Sequence, residues 1–267
     1  MLASLPMYDF PELASASAGW WAGLRRHFQA QGVTGLPDML TSVADPIAHW
    51  DGEPPIFSQT CGYPMTHMLA GKVRLLATPR YAAPGCAGPT YVSWVVVRND
   101  DPAEDFADLR GRRPAYNGRD SQSGYNVLRA LAAPLATGGH FFGSGIESGA
   151  HRKSMALVKA SKADVATIDC VSFALIAQVA PEEIAGLRVL CASAAAPALP
   201  YVTAASTDDS TAQRLQAGLL AACADPELAA IRRELLIDGC EVLPLSCYDV
   251  ILEMERGAVA LGYPDLG

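Results

Sequence analysis

The sequence predicts an α/β fold with a largely parallel sheet, and three observations predict it. From 113 to 193, strand-length apolar runs alternate with helix-like segments. The strand runs are rich in β-branched and aromatic residues, as in "TYVSWVVVR" (90–98). Two stretches look like crossovers between lobes. One surrounds the polar run "RNDDPAED" in the region 91–105, and the other is "SAAAPALPYVTA" (193–204) with Pro197 and Pro200.

The composition supports a globular chain. It has 267 residues, half of them hydrophobic and 18% charged, which suffices for a sizeable core. That length fits one large domain or two lobes of ~100–150 residues. The net charge of −8 repels polyanions, so nucleic acid is excluded as a partner class. An anion site must then be built locally from backbone amides and a few side chains. The run 91–97 is strand-length, far below the ~20 apolar residues of a spanning helix. The opening "MLASLPMYDFPEL" lacks a basic region followed by a long apolar one. The compartment is therefore cytoplasmic if Met1 is the native start, and periplasmic or extracytoplasmic if a leader was removed. Seven cysteines occur without a CxxC pair, which reads as reduced, buried thiols. With no HExxH and no paired His/Cys spacing, no metal and no cofactor is assigned.

The elements follow in order. Residues 2–8 are short and strand-like. Asp9 fits an N-cap, with Pro11 in the first turn and Glu12 at the capping-box position. Leu13, Ser17, Trp20, Trp21, Leu24 and Phe28 recur at helical spacing until Gly32, so the double Trp reads as core. "DMLTSVADPIAHW" (38–50) contains a short helix, and "PPIFSQTCGYPM" (54–65) is a strand ending in a polar turn. "KVRLLAT" (72–78) and 90–98 are strands. "RPAYN", "HFFGS", "DVATID" and "LRVLCAS" are strands, with helices at 121–137, 149–161 and 170–179 between them. Helices at 208–223, 225–236 and 247–257 close the chain.

Three segments read together resemble a known pattern. "DLRGRRPAYNGRDSQSGYNVLR" (108–129) gives a strand, a Ser-rich turn and a helix. "GSGIESGAHRKSMALVKASKADVATID" (143–169) gives a Gly/Ser turn, a His at a helix start and a strand ending in Asp169. "SLPMYDFPE" (4–12) opens the chain. In this order and spacing they resemble the phosphate/phosphonate-type substrate-binding proteins of ABC transporters. The resemblance covers most of the chain and is strongest over 108–172. It implies a type II periplasmic-binding-protein fold: two α/β lobes, a ligand cleft between them and two crossover hinge strands. It places 1–93 and 200–267 in lobe one, with both termini, and 94–199 in lobe two.

On their own terms, Ser121 and Ser123 offer hydroxyl donors at a helix start, where free amides and the positive dipole end favour an anion. Gln122, Gly124 and Tyr125 complete the turn, and Gly124 permits close backbone approach. The same Ser pattern also suits an ordinary N-cap. His151 sits at a second helix start and can donate to a phosphate-like oxygen, while Arg152 and Lys153 point to solvent. Asp169 ends a strand at the edge where open α/β sheets bind ligands, or else caps the helix beginning at Cys170. In lobe one, Met7, Tyr8, Gln59, Thr60 and Tyr63 are expected to line the cleft wall, with Tyr91 and Ser93 near the first crossover as weaker positions. The implied partners are a small anionic ligand and an ABC permease. The alternatives are an enzyme or a ligand sensor on the same scaffold. No GxSxG elbow supports a Ser nucleophile.

Overall fold

The structure, a computed structural model, describes residues 2–43, 45–51 and 55–266. Positions 44 and 54, within the expected helix and strand segments at 38–50 and 54–65, lie outside the described residues, as does Met1.

The chain forms two units. The first comprises 1–82, 87–90 and 197–247, and the second 83–86, 91–196 and 248–267. The chain passes between them at 82/83, 86/87, 90/91, 196/197 and 247/248, and the short strands Thr90–Tyr91 and Ala196–Pro197 pair. The C-terminal segment differs from expectation: 248–267 groups with the second unit, so the two termini fall in different units.

In the first unit the sheet runs Ala3–Ser4, Phe57–Gln59, Tyr201–Ala204, Val73–Tyr81, Ile237–Glu241. The helix Ala14–Ala30 buries Trp20, Trp21, Leu24 and Phe28 on one face, as their spacing predicts. Trp21 stacks on Phe57 at 6.1 Å, and Phe57 on Tyr201 at 5.3 Å. Each such side chain, removed from water, contributes about 1.5–3 kcal/mol. The start of this helix corrects the expectation for Asp9 and Glu12. The chain enters through a 3₁₀ turn, Pro11–Leu13, after Phe10, and no side chain caps either element. Pro11 at the first helical position supplies the pre-set φ that starts the turn.

In the second unit the sheet runs Ile146–Glu147, Pro114–Tyr116, Val165–Asp169, Ser93–Arg98, Leu187–Ala192. Val95, Val97, Val165, Tyr116, Tyr125, Leu128, Phe141 and Phe142 form its core with Tyr263 and Leu266 of the tail. Those two tail residues, with the Asn126–Ile251 and Arg129–Glu255 contacts of the helix Asp249–Ala260, explain why the C-terminus joins this unit.

Neither sheet is largely parallel. In the first, only Ala3–Ser4 with Phe57–Gln59 is parallel. In the second, Ser93–Arg98 is antiparallel to both of its neighbours. Alternating strands and helices report order along the chain. They do not report the direction of a strand that enters from another unit. "HFFGS" is not a strand either. The rings of the consecutive Phe141 and Phe142 meet edge to face at 4.8 Å, which a pleat that sends successive side chains to opposite faces cannot provide. The strand forms beyond it, at Ile146–Glu147.

Candidate functional site

The Ser-rich turn is wound wider than an α-helix. Gln122–Asn126 is a single π-helical turn, followed by a short α-helix, Val127–Ala132. Such π-turns concentrate at functional sites. Ser121 is the N-cap, and its Oγ accepts from the Gly124 amide at 3.0 Å. Its carbonyl accepts from the amides of Tyr125 at 3.3 Å and Asn126 at 2.9 Å. Of the four amides 122–125 expected to face an anion, two are thus taken by Ser121. Those of Gln122 and Ser123 precede the first intrahelical bond and remain the donors of the turn.

The turn is anchored from below. Thr167 Oγ1, in the buried strand Val165–Asp169, donates to the Gly124 carbonyl at 3.1 Å. Gly124 also packs against Asn117: a Cβ here would lie 1.8 Å from Asn117 Oδ1. Only glycine fits, because the strand end and the turn approach backbone to side chain. Sequence reasoning missed both Thr167 and Asn117. The available signals were a polar residue inside an otherwise apolar strand, and an Asn directly after "PAY".

His151 opens the helix His151–Lys159. Its Nε2 lies 2.9 Å from Ser123 Oγ, so two residues 28 positions apart in sequence meet at one point. Burial lowers the imidazole pKa from 6.5 to about 4, and the Thr167 backbone acts in the opposite sense. The ring is therefore neutral near pH 7. In the tautomer carrying hydrogen on Nε2, His151 donates to Ser123 Oγ and the Ser123 hydroxyl proton is free for an acceptor beyond. The pair then presents a donor to an anion without introducing a buried charge.

The other expected residues divide. Asp169 takes the capping role: its Oδ1 accepts from the amides of Val171 at 2.7 Å and Ser172 at 3.2 Å. It also lies opposite Ser93 in the sheet register. Gln122 and Tyr125 turn away from the mouth of the turn. The Gln122 amide donates to Met254 Sδ and accepts from Asn126 Nδ2. Tyr125 is buried, and its hydroxyl donates to Asp265 at 2.9 Å. Burial, and then Asp265, raise its pKa to about 12. Arg152 does not point to solvent, since it makes a two-pronged pair with Glu183, 2.8 Å at each nitrogen.

In the first unit, three aromatic and polar groups converge. Gln59 Nε2 donates to Tyr81 Oη at 2.9 Å and to the Leu199 carbonyl at 3.0 Å. Tyr8 meets the Tyr81 ring edge to face at 5.4 Å. Tyr81, at the end of a nine-residue strand, was not predicted. Met7 is half-buried beside this cluster in sequence. Thr60 is buried and donates to the Cys61 carbonyl at 3.2 Å. Tyr63 stacks on His67 at 3.8 Å. Among the described residues no group of three or more His, Cys, Asp or Glu could hold a metal ion. No helix of the described residues is long and apolar enough to cross a membrane.

Comparison with known proteins adds a family. Residues 56–246 match the sequence model of the periplasmic substrate-binding protein of phosphonate ABC transporters. A search of curated protein sequences gives no match. Several solved structures share the fold. A binding-protein component of an ABC phosphonate transporter from Pseudomonas aeruginosa superposes with a TM-score of 0.77 at 16% identity, covering 98% of this chain and 87% of that one. The methylphosphonate complex of PhnD1 from Prochlorococcus marinus gives 0.77 at 12% identity, covering 96% and 97%. An ATP-bound protein from Xanthomonas citri gives 0.72 at 16% identity, covering 97% of each.

Proposed function

Because the chain belongs to the phosphonate-type periplasmic substrate-binding proteins of ABC transporters, we propose that it binds a small phosphonate- or phosphate-like oxyanion at the 121–124 turn. The observation that carries this reading is the Ser123–His151 contact of 2.9 Å at the mouth of the π-turn. Ser123 presents the hydroxyl donor, His151 holds that hydroxyl, and the amides of Gln122 and Ser123 supply two further donors. Ser121 and Gly124 shape the turn. A neutral His suits this task, because the donors are dipoles and the ligand brings the only charge.

The reading extends to a binding role without turnover, with an ABC permease as partner and an extracytoplasmic compartment as its place of work. Membership of a transport family supports it.

The test is titration calorimetry and a thermal-shift panel with phosphate, phosphite, methylphosphonate and ATP. A ligand at 100 times its dissociation constant should stabilise the protein by about 2.7 kcal/mol. Saturable one-to-one binding of at least one oxyanion is expected. A flat response to every member of the panel would refute the proposal. Chemical conversion of a bound compound would instead favour an enzyme on this scaffold.

A further inference from the structure

Cysteines far apart in sequence meet in the second unit. Cys86 closes the four-residue excursion 83–86, and Cys170 is the first residue of the helix Cys170–Val179. Their sulfurs lie 3.6 Å apart across 84 residues of sequence. Cys170 is fully buried, and Cys86 is half-buried. Backbone bonds hold both: the Cys86 amide donates to Ala83 at 3.0 Å and the Cys170 amide to Val92 at 3.1 Å. The turn is fixed further by Gly85, with φ +93, whose absent Cβ would fall 2.6 Å from the Trp94 ring. Two thiols held in contact by a rigid turn and a helix start are one sulfur displacement from a bond. A disulfide needs ~2.05 Å, so closure takes a side-chain rotation on the order of 1.5 Å.

We propose that Cys86 and Cys170 are a redox-active dithiol, with Cys86 the exchanging nucleophile and Cys170 the resolving thiol. The co-reactant is a small-molecule disulfide of the oxidised glutathione class. Cys86, as thiolate, attacks one sulfur of that disulfide, forming a mixed disulfide and releasing one thiolate. Cys170 then loses its proton and attacks Cys86 Sγ. The protein disulfide forms and the second small thiolate leaves. Two electrons pass from the protein sulfurs to the small disulfide, and the two protons of the cysteines end on the two released thiols.

The order of attack follows from the environments. The hydrogen bond from the Cys170 thiol lowers the pKa of Cys86 below the ordinary thiol range, against burial and the Asp169 charge. Cys170 is pushed up, by the same contact first and then by burial. The more exposed sulfur is thus the better thiolate, the arrangement that reactive dithiols share. A second pair provides a comparison within the same chain. Cys223 and Cys240 are 3.0 Å apart, but burial drives the Cys240 thiol well above its usual range. Proximity alone favours that pair; the lowered pKa of the half-buried Cys86, against the raised one of the equally half-buried Cys240, favours Cys86–Cys170.

The experiment equilibrates the full chain in a series of oxidised and reduced glutathione buffers. Free thiols are trapped with N-ethylmaleimide at timed intervals, and the peptides are mapped by mass spectrometry. The expected results are a linked Cys86–Cys170 peptide that forms before any Cys223–Cys240 peptide, and a Tm raised on the order of 10 °C by the long closed loop. Cys170→Ser should accumulate glutathione on Cys86, whereas Cys86→Ser should leave Cys170 unmodified. Mapping of the unsubstituted protein does not depend on the variants folding. The proposal is overturned if Cys86 stays fully alkylatable across the series or if Cys223–Cys240 forms first. It is equally overturned if the adduct is trapped on Cys170 in Cys86→Ser.

Discussion

Ser123 Oγ and His151 Nε2 stand 2.9 Å apart, joining the π-turn Gln122–Asn126 to the first residue of the helix His151–Lys159. The contact couples the two parts of the sequence that most resemble a phosphonate-type binding protein. It also makes a specific demand: the two residues should not act independently on a bound oxyanion. Ser123→Ala should weaken binding by about 1.5–3 kcal/mol, the range for a hydrogen bond to a charged group, and His151→Ala, which removes the neutral bond that holds the Ser123 hydroxyl, by about 0.5–1.5 kcal/mol. The double substitution should weaken it by less than the sum, with a coupling of about 0.5–3 kcal/mol. Calorimetry on the four proteins of the cycle measures this. Full additivity would place the two residues in separate roles.

Ser121 has a different assignment, because its Oγ already accepts from the Gly124 amide at 3.0 Å. Ser121→Ala should therefore lower stability by about 0.5–2 kcal/mol, the cost of a lost N-cap. Chemical denaturation with and without ligand separates the terms. A loss of affinity as large as that of Ser123→Ala, at unchanged stability, would return Ser121 to direct ligand contact.

Gly124 is constrained by Asn117 and not by its own dihedral angles. The missing Cβ would overlap Asn117 Oδ1 at 1.8 Å. Gly124→Ala should destabilise the protein by about 1–3 kcal/mol, as overpacking does. Adding Asn117→Gly should recover part of that loss. If the second change deepens the defect, the clash is not its source.

Tyr125 belongs to the Ser-rich turn in sequence, and its hydroxyl donates to Asp265 and accepts from the Leu266 amide at 3.4 Å. Tyr125→Phe should cost about 1.5–3 kcal/mol of stability, chiefly for the lost hydrogen bond to the Asp265 carboxylate, with oxyanion affinity unchanged. A selective loss of affinity would restore it to the site.

The extent to which the site was legible follows from where each signal resides. The turn of Ser121, Ser123 and Gly124 and the helix start at His151 are legible in sequence as elements, because local chemistry at helix starts is written in consecutive residues. The double Trp was visible because helical spacing is local too. Direction in a sheet is not local: Ser93–Arg98 enters from the other unit and pairs antiparallel on both sides. The destination of the C-terminal segment was equally hidden, since it depends on Tyr263 and Leu266 finding the core around Phe141 and Phe142. Tyr81 escaped for the same reason, because only the folded strand brings it to Gln59 and Tyr8. Asp169 offered two roles in the sequence, and the amides of Val171 and Ser172 show the capping one.

The buried imidazole of His151 gives stability a pH dependence of defined sign. Its pKa is lowered from 6.5 to about 4 by burial. Between those values the unfolded chain binds more protons at this position than the folded one, so stability rises with pH across that window. The contribution is fully present above about pH 6.5 and is lost as pH falls toward 4. One pKa unit corresponds to about 1.4 kcal/mol, so the lowered value corresponds to about 3 kcal/mol. Urea denaturation from pH 4 to 7 should show this slope, and His151→Gln should flatten it by that amount. Because the neutral form prevails near neutrality, oxyanion affinity should be level between pH 6.5 and 8 for a ligand whose own charge is constant there. An affinity that climbs steeply as pH falls from 8 to 6.5 would mean that a charged imidazolium, not the Ser123 hydroxyl held by a neutral ring, faces the anion.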